Sequence, residues 1–78
     1  MRMPSSSADQ RIADNVRAEI ARAGHSQTSF AGKWGRTQQF LSRRLSGQVS
    51  FSIAELEQIA AELGVPMATL TATEAVSV

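Results

Sequence analysis

Between positions 38 and 46 the chain places Gln38, Gln39, Ser42 and Arg43, four side chains built for directional hydrogen bonding. Glutamine carries a donor and an acceptor side by side, and arginine carries a planar fork of donors. These geometries match the major-groove edges of adenine and guanine respectively, at roughly 1–3 kcal/mol of discrimination for each good pair. Gln38, Gln39, Ser42 and Arg43 are therefore the candidate base readers. Around them stand Gln27, Lys33, Arg36, Arg44, Ser46, Gln48 and Ser50, cations and small polar groups of the kind that hold phosphate oxygens and set register. Gln27 adds the free backbone N–H groups expected at a helix start, which favour an anion.

The distribution of charge supports the same chemistry more strongly than its sum. The net charge is only +1. All eight basic residues fall within positions 1–48, against Asp9, Asp14 and Glu19, whereas the remainder carries Glu55, Glu57, Glu62 and Glu74 and no base. Positions 24–48 hold four basic residues and no acidic one. A uniformly positive segment on a nearly neutral chain has the character of a phosphate-binding face.

These residues need helices to hold them. Ser26 and Thr37 are helix-capping types that open two short amphipathic segments, about Gln27 to Trp34 and about Gln38 to Ser46. Gly35 lies at the sharp turn between the two, and Gly47 stands where the second leaves its helix. Phe30, Ala31 and Trp34 face inward from the first segment, Leu41 and Leu45 from the second, and the small Ala31 suits close approach of the pair. At about 100° per residue, Gln39, Ser42, Arg43 and Ser46 share an arc opposite the Leu41/Leu45 seam, and Gln38 projects forward from the helix start.

Further helices complete a core. One runs from about Ala8 to Ala23 with Ile12, Val16 and Ile20 in a stripe, ending at Gly24. Another runs from about Ile53 to Leu63, opened by a Ser52/Glu55 capping box, with Ile53, Leu56, Ile59, Ala60 and Leu63 as its apolar face and Gly64 as its stop. A short last helix, about Pro66 to Leu70, starts with proline at the first helical position and offers Met67 and Leu70 to the core. The expected fold is all-α, a compact five-helix bundle around a central helix-turn-helix. Residues 1–7 read as a flexible arm, 8–70 as one domain and 71–78 as a tail. That tail is either frayed or carries a short strand, Ala75 to Val78, that pairs with its copy in a dimer.

The run SQTSFAGKWGRTQQFLSRRLSG, followed by FSIAELEQIAAELGVP, resembles the Cro/repressor helix-turn-helix family of phage repressors, Cro proteins and their bacterial relatives. Without a gap, Gln27, the Phe30 and Ala31 pair, Gly35, Thr37, Ser42 with Arg43, and Gly47 fall on that family's pattern. They match its supporting-helix Gln, Leu-Ala pair, turn Gly, helix cap, polar reading residues and closing Gly. Leu56, Ile59, Ala60, Leu63, Gly64 and Val65 are similar to its LxxIAxxLGV helix, and the likeness covers about residues 12 to 70. Thr37, Gln38 and Gln39 look like the start of the reading helix in some lambdoid phage repressors. The resemblance implies a lambda-repressor-like DNA-binding domain and operator binding as a homodimer. Departures are Arg36 after the turn Gly and Arg44 at a commonly apolar site. Phe40 is large where the family is often small, Phe51 stands where proline is common, and Gln48, Val49 and Ser50 replace frequent bases.

Other classes fit less well. At 78 residues with 42% hydrophobic and 19% charged side chains, the chain has material for one globular domain and is too apolar for a disordered one. Without cysteine and with His25 as its one histidine, it has no thiolate or clustered metal site, no evident catalytic constellation and no expected cofactor. His25 is expected at the end of the first helix or exposed in the turn, and Trp34 in the core. No apolar run approaches the roughly 18 residues of a membrane span, so a cytoplasmic protein is expected. The expected function is a sequence-specific double-stranded-DNA-binding regulator, most simply a phage or prophage repressor or Cro-like protein. The alternative is an antitoxin that binds a protein toxin and autoregulates its operon.

Overall fold

The computed structural model describes residues 7–72. The described residues form five α-helices, α1 (Ser7–Arg22), α2 (Gln27–Trp34), α3 (Gln38–Leu45), α4 (Ile53–Leu63) and α5 (Met67–Thr71), and no strand. The strand considered for Ala75 to Val78 and the arm up to residue 6 lie outside the described residues. Ser7, assigned to the arm by sequence, begins α1, and Thr71, assigned to the tail, ends α5 with its Oγ1 donating to the Met67 carbonyl at 3.0 Å.

The helix borders follow local chemistry. The hydroxyls of Ser26, Thr37 and Ser52 accept from the backbone N–H of Ser29, Phe40 and Glu55, each at 3.0 Å, and each cap residue is extended. Glu55 returns the favour to the Ser52 N–H, completing the capping box. Gly35 turns the chain between α2 and α3 at φ 82°, a left-handed conformation that costs an L side chain roughly 1–2 kcal/mol. Besides the ends at Ser7 and Thr71, three borders differ from the sequence reading, the first being that α1 closes at Arg22 instead of Ala23. Ser46 is the C-cap of α3 instead of its last residue. Pro66 is the extended N-cap of α5 instead of its first residue, so α5 starts at Met67.

Every helix contributes to one core, made of Val16 and Ile20, Phe30 and Ala31, Leu41 and Leu45, Leu56, Ile59 and Ala60, and Leu70, all buried. Ile12, Trp34, Phe51, Leu63, Val65 and Met67 pack against it half-buried. The apolar face expected on α4 is one residue shorter than its sequence suggests. Ile53 is 66% exposed, because it occupies the first position of the helix, ahead of the turn that meets the core. Phe51, two residues earlier, packs there instead.

Two side chains of α1 tie off other helices. Asn15 Nδ2 donates to the carbonyls of Leu70 at 3.0 Å and Ala72 at 2.8 Å, and Arg17 Nη2 donates to the Leu45 carbonyl at 3.0 Å. The Leu70 carbonyl of α5 and the Leu45 carbonyl of α3, each in a last turn that lacks onward helical donors, thus receive one from α1. Among the described residues no helix is long and apolar enough to cross a membrane.

Candidate nucleic-acid interface

The four predicted base readers come out together. Gln38, Gln39, Ser42 and Arg43 are all exposed, with Ser46 beside them, while Leu41 and Leu45 are buried on the opposite side. On a helix Gln39, Ser42, Arg43 and Ser46 occupy one arc of about 100°, with Gln38 at the helix start on the edge nearest Leu45. Among the described residues, no hydrogen bond or ion pair occupies the side chains of Gln38, Gln39, Ser42 or Arg43. Polar groups with no internal task, fixed by a helix whose other face is core, form a surface ready to bond an external ligand.

The flanking residues divide into two groups. Gln27 is half-buried at the first position of α2, directly after its Ser26 cap. Gln48 is exposed after the close of α3, where its N–H bonds the Arg43 carbonyl at 3.0 Å. Ser46 is exposed, with its hydroxyl donating to the same carbonyl at 3.0 Å. Arg36 is exposed at the turn and lies over two rings, 5.1 Å from the centroid of Trp34 and 4.8 Å from that of Phe40.

Lys33, Arg44 and Ser50 are instead engaged by carboxylates from other elements. Lys33 Nζ lies 3.5 Å from Glu62 Oε1 of α4, both side chains about two-fifths exposed. Ser50 Oγ donates to Asp9 Oδ2 of α1 at 2.9 Å. Arg44 Nε donates to Glu55 Oε1 at 3.0 Å, and each of these side chains is only 15% exposed. The segment that is free of acid in sequence is therefore bordered by acid in space. Within it, Arg36 and Arg43 are left without an ion pair among the described residues.

Glu55 responds electrostatically. Burial pushes its carboxyl up, but the Arg44 and Ser52 hydrogen bonds, with the nearby positive charges of Arg44 and Arg36, outweigh that and hold it below its ordinary value. At neutral pH the Glu55 carboxylate is ionised, and the charge of Arg44 is matched within the fold.

Arg36, Phe40 and Arg44, which depart from the pattern the sequence resembles, form one structure. The Arg44 guanidinium lies 3.7 Å from the Phe40 centroid. Phe40 meets Trp34 edge-on with centroids 5.6 Å apart. Arg36 covers both rings. Trp34 Nε1 donates to Gln58 Oε1 at 2.9 Å, which Arg36 Nη2 also approaches at 3.4 Å. Trp34 is a half-buried margin of the core, satisfied at its polar edge as an indole needs. Sequence reasoning missed Glu55 and Gln58 in this cluster, because their partners lie 11 and 24 positions away. His25 sits half-buried in the first turn, its Nδ1 2.9 Å from Ser29 Oγ and its ring edge-on to Phe30.

Comparison with known proteins adds one informative likeness. No described protein family matches the chain, and no curated protein matches it by sequence. Among solved structures it is similar to a hypothetical transcription factor from Neisseria, with a TM-score of 0.74 and 25% identity. The match covers 91% of this chain and 84% of that one.

Proposed function

We propose that this protein is a sequence-specific double-stranded-DNA-binding transcriptional regulator that reads the major groove with α3. One observation carries the reading: the exposed side chains of Gln38, Gln39, Ser42 and Arg43 have no hydrogen-bond or ion-pair partner among the described residues, on a helix capped at Thr37 and joined to α2 by a left-handed turn at Gly35. The likeness to a hypothetical transcription factor agrees with it. Gln38, Gln39 and Arg43 bond base edges, with Ser42 beside them. Gln27, Arg36, Ser46 and Gln48 hold phosphates on either side. Lys33, Ser50 and Arg44 belong to the fold's own pairs and contribute less to the backbone contacts than their residue types suggest.

One such helix spans only a few base pairs. Two copies placed about 34 Å apart would meet successive major grooves and double the contacts, so the protein acts as a homodimer on an operator. The resemblance of residues 12 to 70 to Cro and phage repressors makes a compact repressor of that type the specific form of the proposal, working in the cytoplasm of a bacterial or phage-infected cell.

The test is selection from a library of random duplexes, followed by sequencing. A two-fold symmetric site is the expected result, and the spacing of its halves gives the geometry of the dimer. Absence of any enriched sequence would overturn the reading and move a protein partner, as for an antitoxin, to the front.

A further inference from the structure

The pair of Arg44 and Glu55 stands behind the exposed arc. One oxygen, Glu55 Oε1, accepts from both Arg44 Nε and the Ser52 backbone N–H, each at 3.0 Å. It thereby ties α3 to the first turn of α4 across the connection between them. On its other side the Arg44 guanidinium lies on the Phe40 ring, and its Nη1 donates to the Phe40 carbonyl at 3.3 Å. Phe40 in turn meets Trp34 of α2. The run Glu55, Arg44, Phe40, Trp34 therefore grips α3 from two neighbouring helices. Arg43 and Arg44 are adjacent on the helix, about 100° apart. Any rotation that frees Arg44 swings Arg43 and Gln39 through the same angle.

We infer that the Arg44–Glu55 pair positions the base-reading face: it fixes the rotation of α3 about its axis and so decides which base edges Gln39 and Arg43 meet, without itself touching DNA. This rests on the reading of α3 as the recognition helix. It also separates Arg44 from the phosphate contacts. Drawing Arg44 out to a phosphate would leave a largely buried carboxylate without its cation, a strongly unfavourable exchange.

Three variants of the full chain test it. Arg44→Met keeps an apolar stem against Phe40 but removes the charge. Glu55→Gln keeps an acceptor for the Ser52 N–H, since glutamine also serves in a capping box, but removes the charge that Arg44 pairs with. Ser52→Ala breaks the cap and leaves the pair. Each is measured at a temperature where circular dichroism shows it folded, on the selected duplex and on random duplex, over a salt series.

The expected result is that Arg44→Met and Glu55→Gln each lower the selected-to-random affinity ratio by about tenfold. The double variant is no worse than either single, as for residues acting as one unit, and the salt slope does not change. Ser52→Ala lowers the melting temperature and leaves the ratio intact. A uniform loss on both duplexes for Arg44→Met, with a salt slope flatter by about one and Glu55→Gln neutral or tighter, would make Arg44 a phosphate contact and overturn the inference. Unchanged ratios in both variants would overturn it too. Failure of the unmodified protein to distinguish the duplexes would sink the base-reading proposal and this inference with it, whereas failure confined to the variants falls on the pair alone.

Discussion

Arg17 of α1 donates from Nη2 to the backbone carbonyl of Leu45, 28 positions later, at 3.0 Å. The last turn of α3 leaves carbonyls without intrahelical donors, and a charged side chain from another helix fills one of them. The nearby Asp14, 3.9 Å from Arg17 and more than half exposed, adds little, as exposed ion pairs generally do. Arg17→Met is expected to lower stability by about 1 kcal/mol, the net worth of such a hydrogen bond. Urea unfolding checks this, with the midpoint falling and the slope unchanged.

The exposed arc predicts a separation between specific and general binding. Gln39→Ala and Arg43→Ala should each cost roughly 1–3 kcal/mol on the selected duplex and little on random DNA. Arg36→Gln should weaken both alike and flatten the salt dependence by about one phosphate contact. Lys33→Ala should do less than Arg36→Gln, because Glu62 already engages its ammonium. Titrations of both duplexes at several salt concentrations decide the matter; equal losses from Gln39→Ala and Arg36→Gln on random DNA would refute the assignment of readers.

Two glycines three positions apart should respond in opposite directions. Gly32 lies inside α2, and an added Cβ there meets nothing within 4 Å. Gly32→Ala should therefore stabilise by about 0.5–1 kcal/mol through helix propensity and a less flexible unfolded chain. Gly35 has equal room but a φ of 82°, so Gly35→Ala should destabilise by roughly 1–2 kcal/mol from backbone strain alone. Thermal melts of the two variants against the parent give the signs directly.

Glu55 makes stability dependent on acid. Its carboxyl is held below its ordinary value near 4.5, so the folded state binds the proton less readily than the unfolded state does. The stabilisation is present in full above that value and is lost as pH falls through the folded-state pKa. Glu55→Gln should be less stable than the parent at neutral pH, and the gap should close as the pH is taken progressively below about 4.5. Parallel denaturation curves from pH 7 downward test this; a constant gap would show that Glu55 acts through its shape and not its charge.

The parts of this architecture that are local could be read from residue types. Ser26, Thr37 and the Ser52/Glu55 box each bond a group three positions away, so the bounds of α2 and α4 follow from short-range chemistry. The exposed polar face of α3 was equally legible, because the buried seam of Leu41 and Leu45 leaves those side chains outward. Ile53 was not, since periodicity cannot say whether the first residue of a helix reaches the core or whether Phe51 takes the space. Nor were the carboxylates that border the basic segment. Asp9, Glu55 and Glu62 reach Ser50, Arg44 and Lys33 only after the helices pack, and residue type alone could not separate the arginine that faces outward, Arg43, from the one that turns inward, Arg44.

That the side chains of Gln38, Gln39, Ser42 and Arg43 bond nothing among the described residues has a consequence for how such a protein diversifies. Exchanging exposed side chains of this kind usually changes stability by no more than about 0.5 kcal/mol. The core, the caps and the Arg44–Glu55 tie do not depend on which polar residues fill those four positions. The polar surface on the outer face of α3 is thus separable from the scaffold that carries it. Its side chains can be varied by substitution while folding, a much narrower constraint, is left undisturbed.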